Sequence, residues 1–259
     1  MIILKTPEDI SSIKKACEIW KKVRNDLIKQ VKVGMSTKDV DELANKLITS
    51  YKAIPTFYKL YDFPGYICIS VNEELIHGIG SEGRILQPND MITCDIGITY
   101  EGHVCDAAFT WILPPNTDEA KQKILKTTYN CLMSAIKQVY PNNYLGNISH
   151  TIQEIAEDNG YKVIRDYGGH GCGNLPHEDP MILCYGTKDS GIKMVPNMVF
   201  CIETMLLTGS DKYKVNSLNH WTVSSKNHKL TCHYEHMVLV TNEGCEVLTY
   251  QDGEDNHIN

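Results

Sequence analysis

The stretch Tyr167-Gly168-Gly169-His170-Gly171-Cys172-Gly173-Asn174-Leu175-Pro176-His177-Glu178 sets two histidines in a run with four glycines. It is too flexible for a helix and has too few branched residues for an ordinary strand, so it predicts a loop. Glycine exposes the backbone where a ligand or a metal must come close. We therefore expect His170 to lie in a functional site, together with acidic residues from the segments before and after it.

The composition indicates a globular protein that can build a large core. The chain has 259 residues, of which 42% are hydrophobic and 22% are charged. Its formal net charge of −7 argues against a dedicated nucleic-acid binder, because such proteins need basic side chains to meet phosphates. Small or peptidic partners fit this charge better.

The sequence predicts a cytoplasmic protein with no membrane partner and no specific nucleic-acid partner. The N-terminus lacks a basic region followed by an apolar run, and no window approaches about 18 uninterrupted apolar residues. Ten cysteines are scattered without a Cys-x-x-Cys pair. In a reducing compartment most of them should be small buried hydrophobic residues.

The predicted elements follow one order twice, which favours one domain in two similar halves. A long helix begins at Thr6-Pro7-Glu8, and a short helix follows from Ser36 or Thr37. After Pro114-Pro115 the order starts again, with a long helix capped by Asn116 or Thr117 and a short helix after Gly146-Asn147. We expect a single catalytic domain over 1–259, with halves of about 1–113 and 114–250 and a site at their seam.

Two strands in the first half form a hairpin that carries two aspartates. Met91 to Tyr100 and Val104 to Leu113 are β-like and join across Glu101-Gly102. The alternation of faces predicts that Asp95 and Asp106 share one face, within about one diagonal step. Two such carboxylates at about 4 Å repel by roughly 4 kcal/mol at an effective dielectric near 20. A cation must lie between them, or one must take up a proton.

Two glutamates in the second half interrupt apolar strands. Glu203 lies in the strand Val195 to Leu207, and Glu235 begins the strand Tyr234 to Val240. A polar excursion with Trp221 separates these two strands. A single strand aspartate is usually exposed or caps a turn, so each acid alone is a weak signal. Together, four carboxylates and the His170 imidazole suffice to bind two divalent metals.

These acids occur in the order and approximate spacing of the methionine aminopeptidases, and several local strings resemble that family closely. The strings are Val71–Ile79, Arg165–Gly171, His177–Pro180, Trp221–Val223, Tyr234–His236 and Thr241–Gly244. The resemblance runs from about Thr6 to Leu248. Without a long insertion between His177 and Glu203, or an N-terminal zinc-finger extension, the chain resembles the short type I enzyme typical of bacteria.

The resemblance implies an α+β pita-bread (creatinase/aminopeptidase) fold, with two pseudo-symmetric halves, an antiparallel sheet and flanking helices. It also implies removal of the initiator methionine from nascent proteins when the second residue is small. Two divalent metal ions, of Co, Mn, Fe, Ni or Zn, would be the cofactors. The implied ligands are Asp95, Asp106, His170, Glu203 and Glu235, with Asp106 and Glu235 bridging.

Further roles follow from the same resemblance. A metal-bridging hydroxide would attack the methionyl carbonyl, and Glu203 would carry a proton to the leaving amine. His177 would hydrogen-bond the carbonyl oxygen, and His77 would position the scissile amide. The residues that resemble the wall of the methionine pocket are Tyr58, Tyr61, Cys68 and Trp221, although plain core packing is the alternative for each tyrosine.

The sequence departs from the family at Pro176, which removes a usual pocket aromatic, and at Cys105, which replaces a common glycine. The remaining histidines receive no role: His103, His150, His220, His228, His233, His236 and His257, although His236 could orient Glu235. The expected partners are N-terminal methionyl peptides and nascent chains, with the ribosome as a candidate, and we expect a monomer. The rival hypotheses are a proline-specific peptidase of the same fold and an inactive pita-bread protein that acts as a binding module.

Overall fold

The computed structural model describes residues 1–253. Residues 254–259, which include His257, lie outside the described part of the chain. The helices are α1 (Pro7–Gln30), α2 (Thr37–Ser50), α3 (Glu119–Ile136) and α4 (Leu145–Asp158), with a short 3-10 turn at Leu60–Asp62. None of the described helices combines the length and the apolar character that a membrane crossing requires.

Thirteen strands complete the secondary structure within residues 1–253. The first half contains β1 (Ile54–Pro55), β2 (Cys68–Val71), β3 (Glu74–Ile76), β4 (Met91–Tyr100) and β5 (His103–Ile112). The second half begins with β6 (Tyr161–Val163), β7 (Gly168–Gly171), β8 (Glu178–Leu183) and β9 (Val199–Thr208). It ends with β10 (Tyr213–Val215), β11 (Val223–Ser225), β12 (Thr231–Val240) and β13 (Cys245–Val247).

Capping side chains begin α1, α2 and α3 but not α4. Helix α4 begins at Leu145, and Tyr144 before it makes no side-chain capping hydrogen bond, so the predicted start after Gly146-Asn147 was wrong. Thr6 and Ser36 cap α1 and α2, each within a reciprocal capping box. The predicted cap of α3 at Asn116 or Thr117 was wrong. The cap is Asp118, whose carboxylate accepts hydrogen bonds from the backbone N–H groups of Ala120 and Lys121 at 3.0 and 3.2 Å. An ionised side chain satisfies two otherwise unpaired donors there.

The strands form three sheets, and all of their pairings are antiparallel. In a four-stranded sheet β4 pairs with β1, β2 and β5. In a six-stranded sheet the order is β13-β12-β9-β7-β8, and β6 also pairs with β9. A small sheet of β10, β11 and β3 joins the two halves.

The two halves repeat one arrangement of helices on a long hairpin. Helix α1 packs on β4 and β5, whereas α3 packs on β9 and β12. The two hairpins touch through β5 and β12, so that the seam runs between them. One continuous hydrophobic cluster draws side chains from both halves, among them Trp20, Phe109, Phe200 and Leu206. The predicted repeat of element order is confirmed for the helices and for the hairpins.

The glycine-rich stretch is a strand in its first part, so the prediction of a loop was wrong there. Gly168–Gly171 forms β7, which runs beside β8 and β9. A Cβ atom on Gly169 would lie 2.1 Å from the carbonyl oxygen of Cys201, and one on Gly171 would lie 2.2 Å from that of Asp179. These glycines therefore permit a close approach of neighbouring backbone within the sheet. The loop begins only at Gly173, which has φ +127°.

The polar excursion between β9 and β12 also contains regular structure. It folds into the β10 and β11 strands, and β11 pairs with β3 of the first half. The residues between these strands carry Trp221, whose backbone N–H donates to Asn219 Oδ1 at 3.0 Å. The pairing with β3 brings Trp221 to the seam, beside His77 just after β3.

Candidate metal centre

The β4–β5 hairpin and the antiparallel pair β9–β12 bring four carboxylates together at the seam. In the β4–β5 register, Asp106 lies opposite Gly97 and Asp95 lies opposite Ala108, so the two aspartates are diagonal neighbours on one face. The predicted shared face is therefore confirmed. In the β9–β12 register, Glu203 lies directly opposite Glu235.

The side-chain oxygens meet at the distances of a metal site. Single oxygens of Asp95, Asp106 and Glu235 all lie within 4.8 Å of one another. Nε2 of His170 lies 3.9 Å from Asp106 Oδ2 and 3.5 Å from Glu203 Oε1. The structure thus brings the five residues of the predicted ligand set into one cluster.

A backbone hydrogen bond orients the imidazole of His170. Its Nδ1 lies 3.0 Å from the carbonyl oxygen of Gly171, so Nδ1 carries the proton and donates it. The lone pair of Nε2 then faces Asp106 and Glu203. A fixed tautomer with Nε2 directed at carboxylates is typical of a metal-binding histidine.

The buried polar atoms of the cluster fit a divalent cation. Oδ1 of Asp95, Oδ1 of Asp106 and Oε1 of Glu235 are buried without a hydrogen-bond partner in the described structure. Asp106 and Glu235 are only 2% exposed, and buried carboxylates without a partner are strongly disfavoured. Four carboxylates and one imidazole are the donor set that first-row divalent ions accept. The residues present therefore fit the metal that the family implies.

The pKa values of the metal-free cluster also fit a bound divalent cation. Burial raises the pKa of the Asp95 carboxyl, and the charge of Asp106 raises it further. Burial raises the pKa of Asp106 to about 7, although hydrogen bonds from the Ala107 backbone and from Asp95 lower it. Burial, followed by the charges of nearby carboxylates, raises the pKa values of Glu203 and Glu235. Burial, followed by the neighbouring His177, lowers the pKa of His170 to about 4. The raised pKa values disfavour the carboxylate charges that a bound cation would favour, and the lowered pKa of His170 favours the neutral imidazole that a metal requires.

Cys201 also reaches the cluster but is a poor ligand. Its Sγ atom lies within 4.8 Å of ligand atoms of His170 and Glu235, and its thiol donates to the carbonyl oxygen of Asp106 at 3.5 Å. Burial raises the pKa of this thiol well above its usual value, so it stays protonated. Because only the thiolate is a strong metal ligand, we leave Cys201 out of the ligand set.

A small cavity with one polar and one apolar side opens directly on the acid cluster. Its volume is about 80 Å³, and its floor is formed by the carboxylates and His170. The predicted pocket residues Tyr61, Cys68 and Trp221 lie in its wall, together with His77 and His177. Four wall residues were not predicted from the sequence: Phe57, Leu60, Phe63 and Ile76.

Tyr58 does not line this cavity, contrary to the expectation for it. Its ring is 42% exposed and stacks on Tyr66, with ring centroids 4.8 Å apart. The neighbouring Phe57 takes the inward position and packs with Phe63 and Cys68. Of two adjacent aromatics in this segment, only one faces the cavity. Pro176 is also absent from the cavity wall, whereas the ring of Tyr61 stacks on His177 at 6.0 Å.

The cavity continues outwards into a larger groove. The groove has a volume of about 690 Å³ and shares His77, His170, His177 and Trp221 with the cavity. The His77 backbone has φ 57°, a left-handed conformation that a non-glycine residue adopts only under local constraint. Burial, followed by the neighbouring His177, lowers the pKa of His77 to about 4, and burial also lowers that of His177. Both rings are therefore neutral near pH 7.

His233 belongs to the site, although no role was predicted for it. It is 1% exposed, and its Nε2 lies 3.7 Å from Glu203 Oε2 and 3.9 Å from Glu235 Oε2. Neither ring nitrogen has a hydrogen-bond partner within residues 1–253. The signal was present in the sequence, because alternation along a strand puts His233 on the same face as Glu235. His236 lies on the other face, where its Nδ1 contacts Thr249 Oγ1 at 2.9 Å.

Comparisons with known proteins give one consistent result. The model of metallopeptidase family M24 matches residues 11–242. A methionine aminopeptidase from Clostridium acetobutylicum is 41% identical over 249 residues, which cover 96% of this chain and 99% of that protein. The crystal structure of methionine aminopeptidase from Rickettsia prowazekii superposes with a TM-score of 0.94 at 30% identity, covering 96% of this chain and 100% of that one.

Prolidase from Pyrococcus furiosus shares the fold at a greater distance. Its TM-score is 0.77 at 22% identity, and this chain covers 66% of it. At that identity the likeness concerns the fold alone. The helices, antiparallel sheets and paired hairpins are those of the pita-bread fold, as the sequence predicted.

Proposed function

The chain belongs to the methionine aminopeptidases of metallopeptidase family M24, and we propose that it removes the N-terminal methionine from nascent proteins and peptides whose second residue is small. The observation that carries this proposal is one small cavity with two chemically different surfaces. Its floor is the cluster of acids and His170, and its walls are aromatic and sulfur-containing side chains. A small cavity at the inner end of a larger groove suits an enzyme that accepts only the first residue of a chain.

We propose that two divalent ions are held by Asp95, Asp106, His170, Glu203 and Glu235. Single oxygens of Asp95, Asp106 and Glu235 lie within 4.8 Å of one another, so these three side chains would hold metal at one place. Four carboxylates balance the charge of two divalent cations. Ions bound here would supply Lewis acidity, which polarises the methionyl carbonyl and lowers the pKa of water.

Glu203 is the proposed proton carrier. Its carboxylate lies 3.5 Å from His170 Nε2 and borders both the cavity and the groove. Burial, followed by the charge of Asp106, raises its pKa above the usual range for glutamate. A carboxylate that borders both the cavity and the groove can accept a proton and return it to the leaving amine.

His177 and His77 are the proposed hydrogen-bond donors to the substrate. Both line the passage where the cavity joins the groove, which is where the scissile amide would lie. Because both rings are neutral near pH 7, each can donate one N–H group without adding a buried charge. His177 would donate to the carbonyl oxygen, where negative charge develops in the transition state, and His77 would position the amide.

The methionine side chain would occupy the cavity between Tyr61, Cys68 and Trp221. Trp221 packs edge-to-face on Phe63 with ring centroids 5.1 Å apart, and the Cys68 thiol packs in the same cluster. An unbranched thioether fits such a narrow pocket and makes favourable contacts with aromatic edges. Tyr58 is left out of the proposed pocket.

We further propose that the chain works in the cytoplasm as one catalytic domain and as a monomer, on methionyl peptides and nascent chains. All ten cysteines are free thiols, and all but Cys245 are buried, which suits a reducing compartment. The basic face of α1 gives little support to docking on the ribosome. Lys14, Lys15 and Lys21 each pair with a glutamate within 2.8 Å.

Peptide cleavage by the metal-reconstituted protein tests the proposed function. Metal-free protein is loaded in turn with Co, Mn, Fe, Ni or Zn, and release of methionine from Met-Ala-Ser and Met-Lys-Ser is measured. We expect release from the first peptide and none from the second. The absence of release with all five metals would refute the proposal, and cleavage of Ala-Pro instead would favour a prolidase.

A further inference from the structure

Lys5, in the N-terminal segment before α1, contacts the loop that carries His177. Lys5 is buried, and its Nζ lies 2.5 Å from Glu178 Oε2. The side chains of Lys5 and Glu178 are 0% and 2% exposed. The Lys5 backbone N–H donates to the carbonyl oxygen of Asn197 at 2.9 Å, which fixes the segment on the body of the protein. A charged pair this deeply buried is uncommon, because each ion loses its hydration.

The other oxygen of Glu178 holds the backbone of the loop. Oε1 accepts hydrogen bonds from the backbone N–H groups of Asn174 and Leu175, both at 2.8 Å. Gly173, just before them, has φ +127°, and a Cβ atom there would lie 2.6 Å from Ile13 Cδ1 and 3.2 Å from Lys5 Cε. The loop is therefore shaped around Glu178 on one side and around Lys5 on the other.

His177 depends on that backbone for its position. Its imidazole makes no hydrogen bond to any residue within 1–253, and its ring contacts are with His170 and Tyr61, at centroid distances of 4.4 and 6.0 Å. A ring without a hydrogen-bonded partner is aimed chiefly by its own backbone and by packing. The backbone of His177 is joined directly to Glu178, whose carboxylate is fixed by three partners.

We propose that Lys5 and Glu178 form a positioning pair that aims His177 at the substrate. Lys5 holds one oxygen of the Glu178 carboxylate, and the other oxygen accepts hydrogen bonds from the two N–H groups of the loop. The inference rests on the proposed function, since it concerns the reaction that His177 assists. A misplacement of about 1 Å at a catalytic group can cost about a hundredfold in rate, so loosening the loop should be visible in turnover.

The test uses Lys5→Met, the double variant Lys5→Met/Glu178→Gln, and Lys14→Met as a matched control. Lys14 forms an equally short pair with Glu246, but that pair is exposed on the surface. We expect Lys5→Met to lower kcat between about tenfold and a hundredfold with KM nearly unchanged. The double variant removes both buried charges and keeps an amide oxygen for the two N–H groups, so it should recover most of kcat. The control should match the wild type.

Two further measurements make the outcome unambiguous. Hydrogen exchange of the amides of Asn174 and Leu175 should be faster in Lys5→Met and near normal in the double variant, whether or not the protein is active. In a His177→Ala background, Lys5→Met should lower kcat less than twofold. Faster exchange with unchanged kcat, or equal losses in both backgrounds, would overturn the inference. Wild-type protein that is inactive with every metal would instead refute the proposed function.

Discussion

The metal-free protein should become more stable when Glu235 is replaced by glutamine, although the same change removes a proposed metal ligand. Oxygens of Glu235, Asp95 and Asp106 lie within 4.8 Å of one another, a distance at which two charges repel by about 3.5 kcal/mol at an effective dielectric near 20. Burial, followed by the charges of Asp106 and Glu203, raises the pKa of Glu235 well above 4.5. Holding a proton at pH 7 against an unfolded pKa of 4.5 costs about 3.4 kcal/mol.

The sign of this effect depends on pH in a definite direction. A carboxyl whose pKa is raised by folding contributes its full stability below the unfolded pKa of 4.5 and loses it as the pH rises. We therefore expect Glu235→Gln to stabilise the metal-free protein by about 1–3 kcal/mol at pH 7, allowing for imperfect hydrogen bonding of the amide. At pH 4.5 the gain should be below about 0.5 kcal/mol.

Urea unfolding of chelator-treated protein at both pH values measures the difference. Glu82→Gln is the matched control, because Glu82 is exposed and the substitution is the same. With metal at about a hundred times its Kd, the wild type should gain about 2.7 kcal/mol and the variant much less, so the order of stabilities reverses. A variant that is less stable than the wild type without metal at pH 7, or a gain that is equal at both pH values, would refute the reasoning.

Three further substitutions test separate parts of the site and the fold. Asp106→Asn should lose bound metal and turnover together, as measured by metal analysis and peptide cleavage; full activity would reject Asp106 as a ligand. His177→Ala should lower kcat by about 10²–10³-fold with metal content retained, whereas an equal loss of metal would make His177 a ligand. Asp9→Asn should cost about 0.5–1 kcal/mol at pH 7 and much less at pH 2 in thermal unfolding. Hydrogen bonds from His103 and Thr6 lower the pKa of Asp9 to about 2, so its stabilisation is present above pH 3.8 and is lost as the pH falls towards 2; an unchanged cost at pH 2 would contradict this.

The sequence predicted those features of the site that depend on local geometry. Alternation along one hairpin with a short turn was enough to put Asp95 and Asp106 on one face. The direct pairing of Glu203 with Glu235 could not be predicted from the sequence. The segment with β10 and β11 separates their strands, and tertiary contacts set the register. Alternation also marked His233 as a neighbour of Glu235, but the histidine stood among six others without a role.

Adjacent aromatics show a second limit of sequence reasoning. Phe57 and Tyr58 follow the short strand β1, and the backbone there turns at Lys59, which has φ 65°. That turn directs Phe57 into the cavity and leaves Tyr58 to stack on Tyr66 outside it. A segment rich in aromatic residues indicates a pocket. Which ring enters it depends on the left-handed backbone at Lys59, and no sequence pattern predicts that conformation.

The glycine-rich stretch was the hardest part to predict, because its glycines serve contacts that are remote in sequence. Gly169 and Gly171 lie where carbonyl oxygens of Cys201 and Asp179 would collide with any Cβ atom. This close packing puts His170, between them, on a rigid strand with Nε2 3.5 Å from Glu203. A flexible loop would have left that distance undefined, whereas a metal ligand must be held within a few tenths of an ångström. Glycine thus allows close strand packing in β7 and a left-handed backbone at Gly173. Only the contacts with neighbouring strands show which of these two roles a glycine has.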